Sequence, residues 1–254
     1  MLLTIDVGNT NITIGAFKED RLIRTWRIAT RPDRTVDEYR FILKSLWQEL
    51  ASPEAIHGCV ISSVVPNVTS LVSEAVQRLW QVDSLVVGPG VKSGIKIRGD
   101  NPREVGADRI VNAVATYHYY STPAVVVDCG TAISFDVVTD QAEYIGGAIA
   151  PGLNMVADAI VARTAKLKRV ELKRPVRAIG RNTEECIQSG IVFGYMGLVE
   201  HLIKRIAEEL KAEPTVIFTG GQGGVLVEEF EGRFIYDPEL TLKGLHIIAK
   251  LNGW

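Results

Sequence analysis

Two short stretches combine a carboxylate, small residues and β-prone runs in the same order. Leu2 to Ile5 runs mostly apolar into Asp6, turns through Val7-Gly8-Asn9-Thr10, and resumes as alternating Asn11-Ile12-Thr13-Ile14. Ala124 to Val127 runs apolar into Asp128, passes Cys129-Gly130-Thr131, and resumes from Ala132 to Val138. A glycine between two β-prone runs fits a tight hairpin, because glycine supplies the positive φ such turns need. The hairpin puts one carboxylate at a strand end beside a loop of small residues with exposed N–H groups. Those amides can form an anion-binding concavity while the carboxylate faces a cation, which suits a metal-bound phosphate. Taken alone, the first stretch also fits an ordinary hairpin with a polar tip. Its repetition argues for two duplicated halves. Two such loops facing one another across a cleft would clamp a polyphosphate from both sides.

A third carboxylate stands in different surroundings. Asn101-Pro102-Arg103-Glu104 reads as a helix start, with Asn101 capping, Pro102 in the first helical position and Glu104 completing a capping box. The helix is expected to continue through Gly106-Ala107-Asp108-Arg109 to about Tyr119, with Glu104, Asp108 and Asn112 sharing one face. An aspartate on such a face is commonly just solvated, but Gly106-Ala107 thins the helix there and lets a substrate approach. A carboxylate within reach of a hydroxyl is a general base, and Arg109 beside it can grip a carboxylate or phosphate oxygen bidentately. Thr219-Gly220-Gly221-Gln222-Gly223-Gly224 follows a predicted strand and can admit a flat ring or a phosphate.

The elements that must position these groups alternate in type. After the first hairpin, Arg21–Ile28 alternates in period two as a third strand. Thr35–Leu50 is a helical pattern whose apolar face is read as Tyr39, Phe41, Ile42, Leu46 and Trp47. Gly58–Val65 is a buried strand closed by Pro66; a helix follows from about Val68 to Leu79, and then a short strand, Leu85–Val87. The second half adds a glycine-rich strand at Tyr144–Ala150 and helices at Leu153–Thr164 and from Asn182 to about Lys211. A strand runs into the glycine loop, and a last helix starts at Leu240. Gly190, Gly194 and Gly197 share a face of the long helix, which predicts close approach of another helix within the domain or across a two-fold axis. Lys166–Arg174 is basic, a solvated linker or lid, with phosphate attraction as the alternative. The pattern is α/β, divided here into 1–115 and 116–254.

Composition narrows the function classes. The 254 residues are 46% hydrophobic and 23% charged, which is ordinary for a globular chain. A formal net charge of −2 makes no electrostatic case for nucleic acid or an anionic membrane. Cys59, Cys129 and Cys186 lack metal-type spacing and read as reduced thiols of a cytoplasmic protein. The N-terminus lacks the basic and apolar regions of a signal peptide, and the uncharged run Ile110–Val127 is read as a helix end, turn and buried strand.

Paired Asp-x-Gly hairpins in two α/β halves, with a late Thr-Gly-Gly loop, resemble the acetate and sugar kinase, Hsp70 and actin superfamily. Within it, several strings resemble type III pantothenate kinase. They are Asp6–Asn11, Asp100–Arg109, Asp128–Ala132, Gly146-Gly147, Pro151-Gly152-Leu153, Asn182-Thr183, Gln188-Ser189-Gly190, Thr219-Gly220-Gly221 and Leu240–Leu245. The resemblance implies two ribonuclease H-like (actin-like) domains with an ATP cleft between them. It also implies ATP-dependent phosphorylation of pantothenate to 4′-phosphopantothenate, the first step towards coenzyme A, in a cytoplasmic homodimer. Its ATP-binding stretch falls on Asp6, Val7, Gly8, Asn9, Thr10, Asn11, Ile12 and Thr13, with Asp6 helping to hold magnesium indirectly; Thr131 falls near ATP. The base falls on Asp108, and the site for a monovalent cation, potassium or ammonium, on Asp128. Pantothenate contacts fall on Gly106, Ala107, Asp108, Arg109 and Thr183.

The chain departs from the family pattern at Gly99, where tyrosine is usual, at Met155, where serine is usual, and at Lys168, where proline is usual. These positions lie on the pantothenate side of the pattern. Two other readings stay open at this level: a non-catalytic homologue binding nucleotide and a partner protein, and a kinase or phosphatase of the same superfamily acting on another small molecule.

Overall fold

The computed structural model describes residues 1–50, 54–163, 170–230 and 232–254. They fall into two units, Met1–His118 with Glu239–Trp254, and Tyr119–Pro238.

The first unit opens with a meander of β1 (Leu2–Val7), β2 (Asn11–Lys18) and β3 (Arg21–Ala29). It continues through α1 (Val36–Gln48), β4 (Gly58–Ser63), α2 (Pro66–Trp80), β5 (Ser84–Val86), β6 (Lys96–Ile97) and α3 (Ala107–Tyr119). The sheet order is β3-β2-β1-β4-β5. β1 therefore lies between an antiparallel neighbour, β2, and a parallel one, β4. Leu3, Ile5 and Val7 enter one core with Ile12, Ile14 and Ile61, covered by Tyr39, Leu43 and Val72 from the helices.

Three local expectations are corrected here and one helix boundary is refined. Thr35 caps α1 with the full capping box, but the buried stripe is Tyr39, Leu43 and Trp47, whereas Phe41 is 73% exposed. Residues at i, i+4 and i+8 lie one above another on a helix, and Phe41 falls off that line. α2 starts at Pro66 itself, which has no N–H to lose in the first turn. The helix expected from Asn101 is split. Pro102–Glu104 forms a single 3-10 turn, Val105 is extended, and α3 begins at Ala107. Asn101 donates its side-chain amide to Glu104 Oε1 at 2.6 Å instead of capping the backbone. Asn112, expected on a polar face, is fully buried and accepts from the Thr241 hydroxyl at 2.8 Å.

The second unit repeats the hairpin as β7 (Ala124–Cys129) and β8 (Ala132–Val138), followed by β9 (Glu143–Pro151), α4 (Leu153–Ala162) and α5 (Thr183–Leu210). β10 (Thr215–Thr219), α6 (Gly223–Val227) and β11 (Ile235–Tyr236) complete it. Within the unit the strands run β11-β10-β7-β8-β9, so β7 also lies between an antiparallel and a parallel neighbour. Gly147 permits the close strand contact expected of the glycine-rich run, since a Cβ there would lie 1.6 Å from the Phe135 carbonyl oxygen. Asn182 caps α5 by accepting from Glu185 N at 2.9 Å. By length and composition α5 could cross a membrane, but Ile191, Tyr195, Val199 and Ile203 pack into the second core, as in a core helix. Residues 164–169, which include the end of the expected α4 helix and much of the basic stretch, lie outside the described residues.

The last helix, α7 (Leu240–Leu251), groups with the first unit. The division at 115/116 therefore differs from the observed one in assigning the C-terminal segment to the second half. The physical reason is packing: Leu242 reaches Gly15 of β2, and Gly244 lies so close to α3 that a Cβ would sit 2.1 Å from the Val111 carbonyl oxygen. His246 is buried, stacks on Phe17 with ring centroids 4.4 Å apart, and meets the Glu19 carbonyl through Nε2 at 2.8 Å. Burial holds its imidazole below the usual histidine range, against the opposing pull of Glu19 and Asp20 and with Lys250 adding to the lowering. A histidine kept neutral by folding contributes full stability above its unfolded pKa, about 6.5, and loses it as pH falls through the lower folded value. The urea midpoint should therefore fall from pH 7 to pH 5, and His246→Gln should flatten that fall; an unchanged slope in the variant would assign it to other groups.

Candidate active site

Asp6 and Asp128 occupy equivalent places. Each follows a fully buried run, stands half-buried near the carboxyl end of its strand, and faces a hydroxyl residue across the antiparallel pair. Asp6 is paired with Thr13 and Asp128 with Ser134. On the parallel side the register partners are Ser62 and Thr219, again hydroxyl residues, both fully buried. Their hydroxyls have no hydrogen-bond partner, at a typical cost of about 1–3 kcal/mol for a buried polar group.

The loops are held differently from the expectation. Gly8 and Gly130 are not among the positive-φ glycines of the described residues. Instead Gly8 N donates to Asn11 O at 3.0 Å and Gly130 N to Ala132 O at 3.0 Å. The loops also differ in length, closing between Val7 and Ile12 in the first and between Cys129 and Ile133 in the second. Thr30 ties the first loop from β3's end, its hydroxyl donating to Gly8 O at 2.6 Å and its amide to Thr10 O at 2.9 Å. Asn9, Thr10, Asn11 and Thr131 are exposed, whereas the side chains of Val7 and Ile12 are buried, so those two can offer a ligand only backbone.

The second loop rests on two supports that sequence reasoning did not assign. Gly152 N donates to Thr131 O at 3.1 Å, and a Cβ at Gly152 would lie 2.2 Å from that oxygen. Gln222, directly after the Thr-Gly-Gly loop, donates its amide to Cys129 O at 3.1 Å and its side chain to Gly130 O at 3.4 Å. Gly220 has φ +84°, and a Cβ there would lie 2.5 Å from Asp128 Oδ1, so the carboxylate packs against bare backbone. Glycine spacing was the available signal for Gly152 and Gly220, and Gln222 stands inside the glycine loop marked from the sequence; nothing in local pattern marks Thr30. Beyond the loop, Leu153, Asn154, Val170, Glu171, Gly221 and Gln222 line a cavity of about 480 Å³.

Asp108 lies in the first turn of α3, half-buried, with Oδ1 accepting from Arg109 N at 2.9 Å. A helix N-terminus favours an anion. Gly106 gives it room: a Cβ there would sit 2.4 Å from Asp108 Oδ1. Val64 links this helix start to the Asp6 strand, donating its amide to Val7 O at 3.1 Å while its side chain borders Gly106. The fold of the first unit thus gathers Asp6 and Asp108 at one sheet edge. Thr183 stands exposed at the start of α5 in the second unit. Cys59 and Cys129 are buried, and burial pushes both thiols up, Cys59 to about 12, so neither is a nucleophile at neutral pH.

Comparison with known proteins decides the family. The sequence profile described as type III pantothenate kinase matches residues 2–205. The chain belongs to the type III pantothenate kinase family. It is similar to a type III pantothenate kinase of Moorella thermoacetica, 49% identical over 254 residues, covering 99% of this chain and all of the other. Among solved structures, it is similar in fold to an ethanolamine utilization protein from Carboxydothermus hydrogenoformans, with TM-score 0.58, 12% identity and coverage of 97% and 89% of the two chains. It is also similar to (R)-2-hydroxyglutaryl-CoA dehydratase component A from Acidaminococcus fermentans, with TM-score 0.57, 14% identity and coverage of 99% and 98%. At such identity these likenesses establish a shared α/β fold.

Among the described residues, no group of three or more His, Cys, Asp or Glu side chains is arranged to hold a metal. Magnesium commonly binds through one or two carboxylates together with substrate phosphates, a requirement that a single strand-end carboxylate such as Asp6 could meet. Monovalent cations take oxygen ligands, and Asp128, with the unpartnered Thr219 hydroxyl on its register partner, is an oxygen-rich place of that kind. Of the family-pattern departures, Gly99 has open space where a side chain would begin, Met155 is 46% exposed, and Lys168 lies outside the described residues.

Gly152→Ala would drive a methyl group into the Thr131 carbonyl. We expect it to fold less stably and to weaken ATP saturation more than pantothenate saturation, measured by urea denaturation and steady-state kinetics. Unchanged values for both would show that the loop does not depend on that contact.

Proposed function

We propose that this chain phosphorylates the primary hydroxyl of pantothenate with ATP, using Asp108 as general base. The observation that carries the assignment is the half-buried Asp108 carboxylate at a helix N-terminus, cleared by Gly106 and adjoining the Asp6 strand end, in a member of this family. ATP-dependent phosphorylation of pantothenate to 4′-phosphopantothenate is the family's reaction. Phosphoryl transfer needs positioning and charge neutralisation more than covalent help. In this reading Asp108 takes the hydroxyl proton as the new O–P bond forms and the bond to the departing ADP oxygen breaks. Gly106, Ala107, Arg109 and Thr183 hold pantothenate, Arg109 pairing with its carboxylate.

The loop amides from Val7 to Asn11 and the hydroxyls of Thr10, Thr13 and Thr131 receive the ATP phosphates, with Asp6 aligning their magnesium indirectly. Magnesium supplies charge neutralisation at the phosphates when bound. The cavity beside Gly221 and Gln222 takes the adenosine side; its volume is within the range of small-molecule sites. Asp128 holds a monovalent cation, potassium or ammonium. A homodimer is supported by the glycine face of α5: at Gly190, Gly194 and Gly197 no described atom comes within 4 Å of where a Cβ would stand. In this reading a second copy packs on that open face. A cytoplasmic location fits the free cysteines.

In a coupled ADP-release assay with pantothenate, magnesium and potassium, Asp108→Asn should lower kcat by roughly 10²–10⁴-fold, the usual contribution of a general base. Full turnover by the variant would overturn the base assignment, and no pantothenate-dependent turnover by the wild type would overturn the reaction. Gly194→Arg should convert a dimer to a monomer in light scattering; an unchanged mass would move the interface elsewhere.

A further inference from the structure

The hydroxyl beside Asp128 has no role in the reading above. Thr219 is fully buried at the end of β10, in parallel register with Asp128, and its hydroxyl lacks a hydrogen-bond partner. Valine has the same shape and a stronger preference for a buried strand, so packing does not explain a threonine there. The first unit repeats the arrangement independently: Ser62, on the parallel neighbour of the Asp6 strand, is fully buried with its hydroxyl unpartnered. The other unpartnered buried side-chain atoms among the described residues are in Arg40, Ser84 and Thr116. Arg40 and Thr116 lie on helices, and Ser84 is registered with Cys59, so none is the sheet partner of a strand-end carboxylate.

Two further contacts make Thr219 the sharper case. The Asp128 carboxylate packs on the Thr219-Gly220 turn, with Oδ1 2.5 Å from where a Gly220 Cβ would be. On the other side of Asp128, the Ser134 hydroxyl is committed, donating to the buried Asp136 at 2.7 Å, which also receives the Tyr144 hydroxyl at 3.0 Å. The Ser134 hydrogen is thus spent on Asp136, and Thr219 is the adjoining strand hydroxyl with a hydrogen to give.

We propose that Thr219 is a positioning residue for the monovalent cation: once the ion is bound, its hydroxyl, unpartnered in this structure, turns to donate to the Asp128 carboxylate of the neighbouring strand and so aims the remaining lone pairs at the ion. This rests on the reading of Asp128 as the cation-holding residue. Groups that orient a metal-ligating side chain typically change affinity by about 10–100-fold when removed. A hydroxyl kept for this purpose and otherwise unsatisfied costs stability, so its removal separates the two effects.

The test is thermal melting of the purified protein across a potassium chloride series, with choline chloride holding ionic strength constant. Binding to the folded state raises Tm with ion concentration. Potassium should raise the wild-type Tm. Thr219→Val should melt at or above the wild type in choline chloride alone, yet need about tenfold more potassium for half of its rise. Thr219→Ser should restore the wild-type potassium response, and Ser62→Ala should leave that response unchanged. The proposal fails if Thr219→Val half-saturates at the wild-type potassium concentration, if it melts below the wild type in choline, or if Ser62→Ala shifts the response equally. A wild-type Tm that ignores potassium would instead remove the cation reading of Asp128, and this inference with it.

Discussion

A carboxylate cannot follow its strand into an apolar core without a heavy desolvation cost, and that constraint shapes both halves of this protein. β1 and β7 are central strands buried on both faces, Val7 and Cys129 at their ends included, except at Asp6 and Asp128, which remain half-exposed. Several features then gather around each strand end. The hairpin turn follows immediately, the parallel neighbour ends beside it, and the next loop closes over it.

That arrangement explains why glycines matter here through proximity more than through turn geometry. Gly106 clears space for Asp108, Gly220 lets Asp128 lie on backbone, and Gly152 sits against the carbonyls of the second loop. Gly8 and Gly130 close their loops by ordinary amide–carbonyl bonds. Each of these contacts brings backbone near a charged or ligand-facing group, where any side chain would occupy the space the chemistry needs. The carboxylates are thereby held by structure without being enclosed by it.

The three aspartates stand in two different settings. Asp6 and Asp128 share a strand-end setting and a flanking pair of hydroxyl residues, so both suit the holding of cations and phosphates. Asp108 has a helix N-terminus instead, with a backbone amide on one oxygen. A proton acceptor and a cation holder have different requirements, and in the proposed reading they fall on different secondary structures.

Much of this was legible in the residue order. The hairpins, the meander, the α5 cap at Asn182 and the glycine loop after β10 are local patterns; Asp6 and Asp128 stand out because a charge at the end of an apolar run is itself a local signal, and Asp108 because Gly106-Ala107 precede it near a helix start. Phe41 was placed on the wrong face because several apolar stripes coexist in α1 and only packing selects among them. The break before α3 was missed because capping residues at Asn101 and Glu104 bond to one another. Thr30, Ser62, Gln222 and Thr219 gained meaning only from neighbours far away in sequence. What the sequence by itself determined was the kind of chemistry and the elements that carry it, since these follow from residue types at short spacing. Tertiary structure alone decided that α7 returns to the first unit and that each strand-end aspartate lies between two hydroxyls, because strand order and register are set by long-range burial that no local pattern encodes.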